Sequence, residues 1–174
     1  MTGDGDAAPL NQPRPAAAYF AYGSNMHLPR LRERAPSTER LAIGTIRHHR
    51  FAWNKLGRDG SAKANLIPAE GATVWGVVFT IDPGDWPALD RFERAYERRS
   101  VLVHTSDDEL RCETYLSNRL VDREVPHEWY RDLVVRGARE SGLPPDWIEM
   151  LASAVADRGK RALPIIARRD YFAG

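Results

Sequence analysis

The chain has 174 residues, enough for one domain whose core needs no disulfide or metal staple. Its 43% hydrophobic and 28% charged content is that of a soluble globular protein. A formal net charge of +1 supplies no field to draw in nucleic acid or an acidic membrane, so neither partner is expected.

Residues 1–16, rich in Gly, Pro, Ala and Asp, read as a disordered leader without the apolar stretch of a signal peptide or membrane anchor. Tyr19-Phe20-Ala21-Tyr22 is an aromatic, apolar run suited to a buried strand. Gly23-Ser24-Asn25 breaks it, and residues 27–34 read as a helix with Asn25 as N-cap and Leu28 and Leu31 on one face. A strand entering a helix this way leaves backbone N–H groups unpaired at the positive end of the helix, a pocket for a carboxylate or phosphate. Gly23 lacks the Cβ that would hold a ligand off the backbone. A nucleophilic Ser24 is the alternative, but the second glycine of the G-x-S-x-G pattern is missing.

Residues 40–54 predict one long strand bent at Gly44, and Gly57 with Asp59-Gly60 predicts a turn. Residues 62–67 read as a short strand ended by Pro68, and 73–81 as a separate buried strand. Asp82-Pro83 signals the start of a helix through Trp86, Leu89, Asp90 and Glu93. Residues 99–105 and 110–116 predict a hairpin. Trp129, Leu133 and Val134 fall at helical spacing in 126–141, before Gly142 and two prolines. Trp147, Leu151 and Val155 do the same in 146–155. The structure of the tail, 159–174, is not predicted. The domain is therefore 17–158, and strands interrupted by helices without regular βαβ alternation predict an α+β fold.

Glu93 is the candidate for proton transfer, because burial beside Leu89 and Phe92 would tune its carboxyl toward neutrality. The competing reading is a solvated helix face in which Asp90, Arg91, Glu93, Arg94 and Glu97 pair with one another. The five histidines show no HExxH spacing, and His48 and His49 would alternate across a strand, so no metal site is expected. No phosphate-loop or dinucleotide fingerprint is present, and no cofactor is expected. The lone Cys112 reads as core packing, and a single thiol predicts a reducing, cytoplasmic setting.

Three stretches in order resemble one family. Tyr22-Gly23-Ser24-Asn25, within 19–26, is similar to the YGSN signature of the γ-glutamylcyclotransferases. Leu89-Asp90-Arg91-Phe92-Glu93 resembles their LDxxE segment, and Gly137-Ala138-Arg139-Glu140-Ser141-Gly142-Leu143-Pro144 resembles their GA-x-E-x-GLP helix end. The resemblance spans about residues 18–158. It implies a small mixed β-barrel with peripheral helices, and cleavage of γ-glutamyl amides by internal cyclisation to 5-oxoproline and a free amine. It implies Glu93 as the catalytic carboxylate, with Tyr22, Gly23, Ser24, Asn25, Met26, Tyr96, Tyr115 and Tyr130 binding the small-molecule substrate.

The chain departs from the family where Arg94 replaces the glycine after the glutamate and Tyr96 follows at once. Removal of a γ-glutamyl protecting group from a biosynthetic intermediate, and a non-catalytic binder of the same fold, are the alternatives. A homodimer is left open. The leaving group contributes only one proton-accepting nitrogen to the chemistry, so the acceptor preference is expected to be shallow and set by packing.

Overall fold

The computed structural model describes residues 17–158; the leader and tail read from the sequence lie outside them. Five strands, β1 (Ala17–Ala21), β2 (Glu39–Leu56), β3 (Ala62–Ile81), β4 (Glu97–His104) and β5 (Glu109–Leu116), form a closed barrel in the order β1-β3-β2-β4-β5. Every pairing is antiparallel except β1 with β5, which closes the barrel in parallel at Tyr19 and Glu113. Four helices, α1 (Leu28–Arg34), α2 (Trp86–Phe92), α3 (Glu128–Glu140) and α4 (Pro145–Ala152), interrupt or follow the strands. This is the expected α+β mixed barrel with its helices outside.

The consecutive buried residues Tyr19, Phe20 and Ala21 of β1 and the apolar run in β3 fill the interior. Phe20, Val77, Val78, Phe79 and Ile81 have no exposed surface, and Leu31, Leu89, Val103, Val134 and Leu151 are equally buried. Each such side chain contributes about 1.5–3 kcal/mol by leaving water. On α3, Tyr130, Val134 and Ala138 recur every fourth residue and make one buried stripe. Gly142, at φ +71°, ends this helix, with the Leu143 amide donating to the Ala138 carbonyl at 3.1 Å.

Several sequence expectations change. The two strands foreseen on either side of Pro68 are one strand: Pro68 is exposed and still pairs with His49, and the ladder to β2 shifts register between there and Thr73. The register of β2 against β3 shifts at Arg40/Ala42, Arg47/His49 and Trp53/Lys55, and not at Gly44, which pairs straight across to Gly76. His48 adopts φ +56° within a register shift between Arg47 and His49, so the simple alternation of His48 and His49 fails too. Helix α2 starts at Trp86, with Asp85 at the N-cap position but its side chain accepting from the Ser37 amide, after a turn through residues 82–85. Val155 lies beyond α4 and is exposed. Among the described residues, no helix is long and apolar enough to cross a membrane.

Candidate active site

Where β1 ends, residues 24–26 form a single 3-10 turn, closed by Met26 N–H to the Gly23 carbonyl at 3.0 Å and His27 N–H to the Ser24 carbonyl at 3.3 Å. The amides of Gly23, Ser24 and Asn25 have no acceptor among the described residues. Gly23 has an ordinary negative φ of −114°, and its missing side chain makes room for the barrel wall. A Cβ there would lie 2.9 Å from the Ala64 Cβ. Helix α1 begins only at Leu28, with His27 at the cap position and Pro29 in the first turn. The turn amides therefore stand before the helix, not at its N-terminus, and Asn25 is not its cap.

Released from capping, the Asn25 side chain joins three elements. Its Nδ2 donates to the Tyr19 hydroxyl at 2.9 Å and to Glu93 Oε1 at 3.1 Å, while its Oδ1 accepts from Arg34 Nη1 at 3.1 Å. Arg34 Nη1 also donates to Glu93 Oε1 at 2.6 Å. Glu93 sits at the C-terminal cap of α2, fixed by its amide to the Leu89 carbonyl at 3.0 Å. The side chains of Arg34 and Glu93 are 6% and 13% exposed, so the pair is largely dry. Removing one member of such a pair costs ~3–5 kcal/mol, because the other charge is left buried alone. Both bonds fall on Oε1; Oε2 carries none among the described residues.

Glu93 and the turn line one inner cavity of about 320 Å³, together with Tyr19, Tyr22, Ala64, Tyr96, Tyr115 and Tyr130. Each phenol is held. The Tyr22 hydroxyl donates to the Tyr115 carbonyl, Tyr96 to the Ala64 carbonyl at 2.8 Å, and Tyr115 to Asp90 Oδ1 at 2.7 Å. The Tyr130 hydroxyl accepts the Ala64 amide at 3.2 Å. Burial pushes all five phenols upward, so they stay protonated across the physiological range. Of the residues expected from the sequence, Tyr22, Gly23, Ser24, Asn25, Glu93, Tyr96, Tyr115 and Tyr130 share this wall. Met26 does not: it is 1% exposed and packs in the core beneath α3.

A second cavity of about 680 Å³ adjoins the first and shares Ser24, Glu93, Tyr96 and Tyr130 with it. Its remaining wall is mostly basic, with Arg30, Arg34, Lys55, Arg58, Lys63 and Arg94 opposite a single further acid, Asp59. Sequence reasoning named none of these lysines and neither Arg30 nor Arg34 as site residues. Arg30 and Arg34 flank Leu31 at a spacing of four, so the helical period that buried Leu31 was the signal available. Arg94, the residue that departs from the family pattern, is exposed, and its Nε donates to the Arg91 carbonyl at 3.1 Å. The shortened loop closes through the Tyr96 amide to the Glu93 carbonyl at 2.8 Å. Cys112 is buried in β5, and burial pushes its thiol up to about 11.

Comparison with known proteins bears out the family resemblance. Residues 73–151 match the AIG2-like family. The human γ-glutamylcyclotransferase is 27% identical over 143 residues, 76% of each chain, and the bovine one is 28% identical over 145 residues, 78% of this chain and 77% of its own. A solved structure titled gamma-glutamyl cyclotransferase superposes with a TM-score of 0.81 at 24% identity, covering 91% of this chain and 99% of the other.

Proposed function

We propose that this chain, an AIG2-like relative of the γ-glutamylcyclotransferases, cleaves γ-glutamyl amides by internal cyclisation. The observation that carries the reading is the common wall: Glu93, with one oxygen pinned and one unengaged, lines the same cavity as the three unpaired amides of the turn. Nucleophile and electrophile already belong to one molecule, so the site need only fold the glutamyl chain into a reactive pose.

In the proposed reaction the substrate α-nitrogen attacks its own γ-carbonyl carbon. A C–N bond forms, and the carbonyl π pair moves onto oxygen. The α-ammonium brings three protons; one stays on the lactam nitrogen and two pass to the leaving nitrogen. Glu93 Oε2 is the carrier, accepting from the attacking nitrogen and donating to the leaving one as the old C–N bond breaks. The products are 5-oxoproline and the acceptor ammonium, and no water is consumed.

The Gly23, Ser24 and Asn25 amides supply donors to an oxygen of the glutamyl unit. Arg34 and Asn25 hold Oε1, which fixes the carboxylate plane while Oε2 works. The buried tyrosines, protonated and bonded to backbone, Asp90 or, for Tyr19, the Asn25 side chain, shape the cavity. We assign the protein to a reducing cytoplasm, a reading supported by its one cysteine being buried.

The test is release of 5-oxoproline from a γ-glutamyl dipeptide, followed by mass spectrometry. Glu93→Gln should lower kcat by about 10²–10⁴-fold while leaving substrate binding measurable, since the amide keeps the shape but carries no proton. The N-acetylated dipeptide should be inert. Turnover of that compound would make water or Ser24 the nucleophile and the protein a hydrolase.

A further inference from the structure

The outer cavity is lined by six cationic side chains and two acids, Asp59 and Glu93. Both acids are already committed. Asp59 Oδ2 accepts from Lys63 Nζ at 2.8 Å, and Glu93 Oε1 from Arg34 Nη1 at 2.6 Å. With those two pairs set aside, Lys55, Arg58 and Arg94 face the cavity without an acid of its wall in ion-pair contact among the described residues.

Lys55 is the informative member. The residue is 7% exposed, on β2, and its ammonium lies 4.7 Å from the centroid of the Tyr96 ring. Among the described residues no carboxylate is in ion-pair contact with that ammonium; Glu93 and Asp59 act on it only from farther away. A buried ammonium with no carboxylate is unfavourable unless an anion completes it. Arg58 is exposed at the turn after β2, and Arg94 follows Glu93 directly. A single carboxylate, such as any amino-acid acceptor carries, would leave most of this charge uncompensated.

We propose that the outer cavity is an acceptor subsite for a doubly anionic leaving group, an acidic amino acid or a phosphate-bearing amine, with Lys55 as its principal anchor. The inference rests on the cyclotransferase reading for which end of the substrate lies where. The glutamyl half occupies the tyrosine-lined cavity, the scissile nitrogen lies at Glu93, which both cavities share, and the acceptor extends past Tyr96 toward Lys55 and Arg58. Acceptor choice is then decided by charge, and the shallow, packing-based preference expected from the sequence is replaced by a steep one.

The experiment compares γ-glutamylglutamate with γ-glutamylglutamine, which match in shape and differ in one charge; γ-glutamyl-O-phosphoserine separates phosphate from carboxylate. In the wild type, kcat/KM for the glutamate compound should exceed that for the glutamine compound about tenfold or more, the scale of one charge-assisted hydrogen bond. Lys55→Met should bring the ratio near one, and Lys55→Arg should keep it above the Met variant. Arg58→Gln, at an exposed position and so no threat to folding, should lower the ratio in part. The same ligands titrated calorimetrically into Glu93→Gln give the ratio of affinities without turnover. If no compound yields 5-oxoproline, the cyclotransferase reading falls, and the affinity ratio alone judges the basic cavity. Equal kcat/KM and equal affinity for the glutamate and glutamine compounds would overturn the proposal, as would a preference that survives Lys55→Met intact.

Discussion

Replacing Gly137 by alanine should damage catalysis far more than stability. Gly137 is where α3 meets the 3-10 turn: a Cβ there would lie 2.5 Å from the His27 nitrogen and 2.8 Å from the Met26 carbonyl carbon. Both are backbone atoms, so no rotamer change relieves the clash. Restoring an ordinary contact of about 3.5 Å requires helix and turn to separate by roughly 1 Å. Overpacking of this kind costs ~1–3 kcal/mol. Alanine recovers about 0.8–1.0 kcal/mol of helix propensity, leaving a net loss of roughly 0–2 kcal/mol.

For a chain of this size each kcal/mol moves Tm by about 2–4 °C, so the melting point should fall by at most about 8 °C. The turn, however, carries the amides of Ser24 and Asn25. A displacement of about 1 Å in a positioning element can cost about 10²-fold in rate. The assay pairs thermal unfolding with 5-oxoproline release. A variant stabilised by the full propensity gain and fully active would show that α3 does not set the position of the turn.

Two further outcomes follow from charged contacts. Arg34→Met should destabilise the fold by ~3–5 kcal/mol by leaving Glu93 buried without its guanidinium. Adding Glu93→Gln should restore part of that loss, and strict additivity in a denaturant double-mutant cycle would refute the coupling. Burial alone would raise the Asp59 carboxyl, but its bonds to Lys63 and Ser61 outweigh burial and lower it. Its folded pKa is thus below the unfolded one. The stabilisation it gives is complete above about pH 4 and is lost as pH falls through the lower, folded value. The Tm gap between wild type and Asp59→Asn should therefore close on acidification below about pH 4; a gap unchanged down to pH 2 would remove Asp59 from the acid limb.

The apolar run at Tyr19–Tyr22 and the hairpin of β4 and β5 were legible because each is a local pattern that tertiary packing reinforces; helix α3 was legible too, but of the face read as Trp129, Leu133 and Val134 only Val134 lies on the buried stripe. Pro68 misled because a proline in an exposed strand position costs nothing when its neighbour across the ladder asks for no donor there. Asn25 looked like a cap because caps are the commonest use of Asn after a turn. Its real partners are six, nine and 68 positions away in the chain, the last beyond any local window and the others outside its own element, so at no helical or strand period from it.

The same limit explains Arg34 and Lys55. A buried cation is recognised by what faces it, and Arg34 meets its carboxylate across 59 residues of sequence. Glu93 became legible through the resemblance to a family motif, since its own surroundings in the sequence are a run of alternating charge. Gly137 was noticed as part of a motif, but its reason lies in the peptide of Met26 and His27 that it touches.

The parallel seam between β1 and β5 bears on how the protein comes into being at the ribosome. The Thr114 hydroxyl donates to the Phe20 carbonyl, and these partners are 94 residues apart. β1 emerges before the other four strands, yet cannot obtain its second neighbour until β5, more than 90 residues on, has been made. Until then its edge is open, and the aromatic run that will line the pocket is available to other chains. Such distant pairings slow folding, since the loop must close before the contact rewards it. The pocket wall draws Tyr19 and Tyr22 from one side of the seam and Tyr115 from the other. No partly translated chain that stops before β5 contains a site. The first molecule able to bind substrate is one whose barrel has already closed.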